Sequence, residues 1–125
     1  MIERILLKGK EIMLLHFDAH PDLRKELEGK ELTHATFLQK AIEEGTIKEE
    51  QIVQAGIRTA GKEEFEFLKN SKIKFFKARE LMEKENFENA KKEIAEFTQR
   101  KDCYISFDLD VLDSALVPAV GTPEP

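Results

Sequence analysis

A chain of 125 residues, 41% hydrophobic and 36% charged, is long enough for one globular domain with its own core and solvated, Lys/Glu-rich helices. A formal net charge of -5 without a basic cluster argues against nucleic acid as the main partner. No apolar stretch is long enough for a membrane span or secretion signal, and the single cysteine, Cys103, excludes an internal disulfide, so a cytoplasmic protein with no membrane partner is expected.

Residues 11–18 read as a buried strand, with Ile12-Met13-Leu14-Leu15 running into His16-Phe17-Asp18-Ala19-His20-Pro21-Asp22. The spacing predicts a helix over 36–45, with Phe37 and Ala41 at helical spacing, Leu38 and Ile42 as a second apolar pair and Gly45 as a stop. A strand follows over 51–57, a helix over 62–70 with Phe65 and Leu68 one turn apart, and a short strand over 73–76. A longer helix over 86–99 carries Phe87, Ala90, Ile94 and Phe97 on one face. The last strand, 103–108, leads into Ser106-Phe107-Asp108-Leu109-Asp110, and Cys103 within it is expected to be packed. Strands separated by helices imply right-handed crossovers and an α/β fold, a mostly parallel sheet flanked by helices in three layers. Ligands of such sheets bind outside the carboxyl ends of the strands. Both acidic segments lie there.

Side chains two apart in an extended segment share a side, so Asp18, His20 and Asp22 tend to converge, as do Asp108 and Asp110. Pro21 bends the chain, which makes the alternation only a guide for Asp22. Four carboxylates gathered at two strand ends repel one another if left bare. Two divalent cations neutralise them. Hard carboxylate oxygens with one imidazole suit Mn²⁺ better than Zn²⁺. His16 shares the parity of Asp18 but lies deeper in the strand, and reads as a packed residue beside the site rather than a ligand.

With their flanks, these segments resemble a known family. Asp18-Ala19-His20-Pro21-Asp22 and Ser106-Phe107-Asp108-Leu109-Asp110-Val111-Leu112-Asp113 are similar to the two metal-binding motifs of the ureohydrolases: arginase, agmatinase, formiminoglutamase and relatives. Three further segments fall in the same order. His34-Ala35-Thr36-Phe37 resembles the family's His-Gly-x-x-Phe, the segment 51–58 its strand ending in Gly-Ile-Arg, and Gly121-Thr122-Pro123-Glu124-Pro125 its Gly-Thr-Pro-Glu loop. The wording is closer to agmatinases than to arginases.

The resemblance implies an arginase/deacetylase-like fold, here in incomplete form. Residues 1–125 hold no counterpart of the family's Gly-Gly-Asp-His segment, whose His is a metal ligand, or of its C-terminal strands, one of which carries an acidic residue that holds the guanidinium. A partial ureohydrolase domain is therefore expected, from a split or truncated gene, with a partner chain supplying the rest, or as a degraded copy; a partner chain or self-association is the expected macromolecular contact. By the same resemblance Asp18 and Asp108 bridge two Mn²⁺ ions, His20 and Asp110 complete one site, and Asp22 belongs to the other. His34 matches the proton-shuttling His, although Ala35 replaces the family's Gly. Ser114 and Ala119-Val120 also depart from the pattern, Arg58 is expected to bind substrate or, in preference, to make an interface salt bridge, and Asp113 to serve as a cap or an acceptor beside the site. The implied activity is hydrolysis of a guanidino compound, agmatine foremost, to an amine and urea. The alternatives are an inactive remnant serving as a binding or assembly module, and another hydrolase of this fold, such as a formiminoglutamase, an arginase or a deacetylase-like enzyme.

Overall fold

The computed structural model describes residues 12–117 and 119–121. The expected Gly-Thr-Pro-Glu loop beyond Gly121, with Thr122 and Glu124, lies outside these described residues, as does position 11 of the first expected strand.

The elements run β1 (Ile12–Phe17), α1 (Phe37–Glu43), β2 (Ile52–Ile57), α2 (Lys62–Asn70), β3 (Lys74–Lys77), α3 (Ala78–Leu81), α4 (Lys84–Thr98) and β4 (Asp102–Phe107). Single 3-10 turns precede β2 at Glu49–Gln51 and follow β4 at Leu109–Val111. The four strands form one parallel sheet in the order β3-β2-β1-β4. From β1 the chain steps outward through α1 to β2 and through α2 to β3. It then returns across the sheet to β4, on the far side of β1. The direction reverses at β1, so the crevice between the carboxyl ends of β1 and β4 is a topological switch point.

β1 and β2 are central, and their sequences, Ile12-Met13-Leu14-Leu15 and Ile52-Val53, are the continuous apolar runs that strands covered on both faces require. The core joins Leu14 and Ile52 to Leu38 of α1, Leu68 of α2, and Leu23, Ile47 and Ile73 from the connections. Each such side chain contributes roughly 1.5–3 kcal/mol on leaving water. Two polar residues interrupt these strands. His16 and Gln54 stand opposite one another in the register and are 1% and 0% exposed.

Several expectations shift. The first helix is shorter than 36–45, because the turn ends at Glu44 and Gly45, which adopts φ +70°. The third strand begins one residue later than expected, and α3 follows it directly. On α4 only Ala90 is buried, while Phe87 is 47% exposed with the Lys91 ammonium 5.5 Å from its ring centroid. Cys103, expected to pack, is exposed. Its strand β4 pairs with β1 alone among the described residues, and side chains along it stand uncovered.

Candidate metal centre

Parallel register builds the centre. Phe17 stands opposite Phe107, the last pair of β1 and β4, and their rings pack at 5.7 Å. The next residue on each strand is an aspartate. The Asp108 amide donates to the Phe17 carbonyl at 2.9 Å, and the Asp18 amide to the Ala55 carbonyl at 3.2 Å, so both backbones are held as the strands end.

Beyond this point each segment folds back on its own carboxylate. Oδ1 of Asp18 accepts from the His20 amide at 2.7 Å, and Oδ1 of Asp108 accepts from the Asp110 amide at 3.0 Å. These two aspartate turns replace strand alternation with fixed loops and aim His20 and Asp110 at each other. His20 Nδ1 lies 3.1 Å from Oδ2 of Asp110 and 3.5 Å from Oδ1 of Asp18. The other Asp110 oxygen accepts from the Ala19 amide at 3.1 Å, which ties the two loops together. Asp18, His20 and Asp110 thus present three donor atoms within 4.8 Å of one another.

A second group forms from His16, Asp18 and Asp22. His16 Nε2 is 3.0 Å from Oδ2 of Asp18 and 3.8 Å from Oδ2 of Asp22. Asp22 reaches this place with φ +54°, a conformation a non-glycine residue rarely adopts, directly after Pro21. Its carboxyl is pushed up to about 8, first by burial and then by the charges of Asp18, Glu64, Asp108 and Asp110. A cation would relieve both causes.

All five expected ligands and His34 line one cavity of about 270 Å³. His34 is exposed at its rim, on a turn pinned where the Thr33 amide donates to Oγ1 of Thr36 at 2.7 Å and the Arg24 amide to the Ala35 carbonyl at 3.1 Å.

The whole chain, residues 1–125, matches the arginase family. The chain belongs to that family. It is 35% identical to an agmatinase of Halalkalibacterium halodurans over 91% of its own length and 36% of the relative's. It is 31% identical to a guanidinobutyrase of Pseudomonas aeruginosa over 99% and 39%. The crystal structure of agmatine ureohydrolase of Thermoplasma volcanium superposes with a TM-score of 0.78 at 33% identity, covering 92% of this chain and 38% of that one. The arginase-family chain therefore spans less than two fifths of the length of these relatives.

Arginase-family members are binuclear metal enzymes, and the residues of this member fit such a centre. The donors are carboxylate oxygens and imidazole nitrogen, and a buried aspartate is held protonated where no cation balances it.

Three residues of the centre carry roles that sequence reading did not assign. Glu64 is 6% exposed, and its carboxylate accepts from the Leu23 amide at 3.2 Å, the Gly61 amide at 2.8 Å and Arg24 Nε at 3.4 Å. It clamps the loop that carries Asp22 to the start of α2. Its visible signal is an acidic residue three positions after Gly61 at a helix start. Arg58 meets backbone carbonyls within its own chain. Its Nη2 donates to the backbone carbonyls of Asp110 at 2.5 Å and Leu112 at 3.2 Å, and so holds the second acidic loop. Gly56 lies at the β-bulge between Ala55 and Ile57 with φ +103°, where that same loop passes against it. Asp113 acts as a cap, with Oδ1 accepting from the Ala115 amide at 2.7 Å.

Proposed function

We propose that this chain forms a metal-binding part of a binuclear amidinohydrolase of agmatinase type, with Mn²⁺ as its metal. What supports the reading is the convergence of Asp18, His20, Asp22, Asp108 and Asp110 on one cavity, with His34 at its rim, in an arginase-family chain. Asp18 and Asp108, which directly follow the last paired residues of β1 and β4, would be the shared ligands. His20 and Asp110 complete one site, and Asp22 serves the other. When bound, two such ions supply a nucleophile of hydroxide strength at neutral pH.

The protein's own groups do the rest. Rigid aspartate turns fix the ligand oxygens before substrate arrives, so little reorganisation remains for the reaction. The resonance-stabilised guanidinium carbon is a poor electrophile, and its breakdown needs a proton on the departing amine. His34, an imidazole at the cavity rim, is suited to carry that proton. His34, exposed and on the cavity lining, marks a side from which an elongated cation would enter.

Agmatine is the favoured substrate because the agmatinase likeness is accompanied by the Gly-Thr-Pro-Glu wording; guanidinobutyrate is the second choice through the guanidinobutyrase likeness. The sheet also needs a neighbour for β4, which a partner chain, further residues of the protein or a second copy would supply. Urea release from agmatine, guanidinobutyrate and arginine by the Mn²⁺-loaded protein tests the reading, first with the chain alone and then with the relatives' flanking segments restored. The expected result is agmatine turnover that needs the flanking segments and is lost in His20→Ala and Asp108→Ala. Turnover indifferent to both substitutions would overturn it.

A further inference from the structure

His16 poses a choice. By distance alone it belongs to a ligand group with Asp18 and Asp22, and it is the imidazole best placed to serve the site that contains Asp22. Its hydrogen bonds say otherwise.

The other ring nitrogen, Nδ1, lies 3.0 Å from Nε2 of Gln54, and the same Gln54 nitrogen lies 2.8 Å from the Pro21 carbonyl. A backbone carbonyl can only accept, so the atom facing it is the amide NH₂. That NH₂ has two protons. One goes to Pro21, and the other points at Nδ1, which must then be a bare acceptor. In a neutral imidazole the remaining proton sits on Nε2, 3.0 Å from Oδ2 of Asp18. Turning the Gln54 amide over would set its oxygen against the Pro21 oxygen. A proton moved to Nδ1 would leave a bare Nε2 facing the Asp18 carboxylate. Both changes replace attraction by repulsion at sites 0–3% exposed, where no water compensates.

We propose that His16 is a positioning residue and not a metal ligand: Gln54 locks its imidazole in the Nε2–H form, and that proton anchors Oδ2 of Asp18. The opposite Asp18 oxygen is held by the His20 amide, so both oxygens are oriented from behind. Each keeps a lone pair for an ion. The edge of Phe37 packs on the His16 ring, with centroids 5.8 Å apart at 87°, and prevents it from swinging away. The consequence for metal affinity rests on the reading proposed above; the tautomer does not.

Long-range proton–nitrogen spectra of the ¹⁵N-histidine-labelled chain test this, with the three histidines assigned by substitution. The expected pattern for His16 is a protonated Nε2 and a bare Nδ1. Adding Zn²⁺ as a diamagnetic probe should move a His20 nitrogen and leave the His16 Nε2–H in place. Mn²⁺ titration completes the test. His16→Gln, whose amide NH₂ can reach toward Asp18, should hold affinity within about threefold, whereas His16→Phe should lose about 10–100-fold. An Nδ1–H form, loss of the Nε2 proton on metal addition, or equal losses in the two variants would overturn the proposal. Should the Phe variant fail to fold, the spectra of the unsubstituted chain decide alone. A wild-type chain that binds no divalent ion, yet shows the Nε2–H form, sinks the metal reading and leaves the anchoring role standing.

Discussion

A β-carbon on Gly56 would stand 2.3 Å from Cγ2 of Val111 and 3.2 Å from the Asp18 carbonyl oxygen. Gly56 therefore lets the second acidic loop close against the first. Gly56→Ala should destabilise the chain by about 1–3 kcal/mol through overpacking, with further strain because φ is +103° there. It should also weaken metal binding, since Val111 adjoins Asp110 on the same turn. Adding Val111→Ala removes the clash and not the backbone strain. The double variant should recover part of the stability, read from denaturation midpoints; no recovery would mean that the contact is not what excludes a side chain.

The two ligand groups should bind unequally. Asp18, His20 and Asp110 bring two carboxylates and an accessible imidazole, with Asp108 beside them, whereas Asp22 shares its group with an imidazole whose Nε2 is committed to Asp18. Calorimetric titration with Mn²⁺ should show one stronger event and one weaker or absent. His20→Ala should remove the stronger event, and Asp22→Asn should spare it. Two events of equal strength would contradict this assignment.

Asp22 makes a pH prediction of definite sign. Its carboxyl is raised from 3.8 to about 8, so across that window the folded, metal-free chain holds a proton that the unfolded chain has released. Stability from this group is present at the acid end and is lost as pH climbs through the window. Denaturation at several pH values between about 5 and 8 should show the wild type losing stability relative to Asp22→Asn, which carries no charge at any pH. Saturating Mn²⁺ should flatten the difference, because a bound cation favours the ionised carboxylate. A wild type that gains on the Asn variant as pH rises, without metal, would refute the argument.

The centre was legible in the sequence because its logic is local. Two parallel strands each followed at once by an aspartate need only their register and the rule that α/β sheets bind at their carboxyl ends to bring the two segments together; the turns that replace alternation beyond Phe17 and Phe107 are a matter of the loops. Glu64 was not legible in its role, because two of its three partners, Leu23 and Arg24, lie on the loop after β1, which only the tertiary fold brings against the start of α2. The backbone contacts of Arg58 were hidden for a related reason: a charged side chain suggests a charged partner, and its reach to two carbonyls depends on where the second acidic loop folds. Cys103 was read as packed because an apolar run announces that a strand can be covered, without saying what covers it. The four residues of α3 span about one turn, too few for a helical period to show.

That uncovered strand yields a last prediction. Among the described residues β4 hydrogen-bonds to β1 on one side only, and Ile105, Phe107 and Leu109 along and just beyond it are 60%, 53% and 53% exposed. An edge with unpaired backbone groups and apolar side chains is a template for another strand. The chain studied alone should self-associate with rising concentration, seen by sedimentation velocity. Ile105→Lys places a charge on that edge without touching the acidic loops, and should shift the distribution toward monomer while leaving Mn²⁺ affinity unchanged. Glu88→Gln, on the exposed face of α4, raises the net charge by the same single unit and, as the matched control, should leave the association as it was. Equal effects of the two substitutions would point to net charge as the cause; an Ile105→Lys chain that associates as strongly as wild type would place the contact elsewhere.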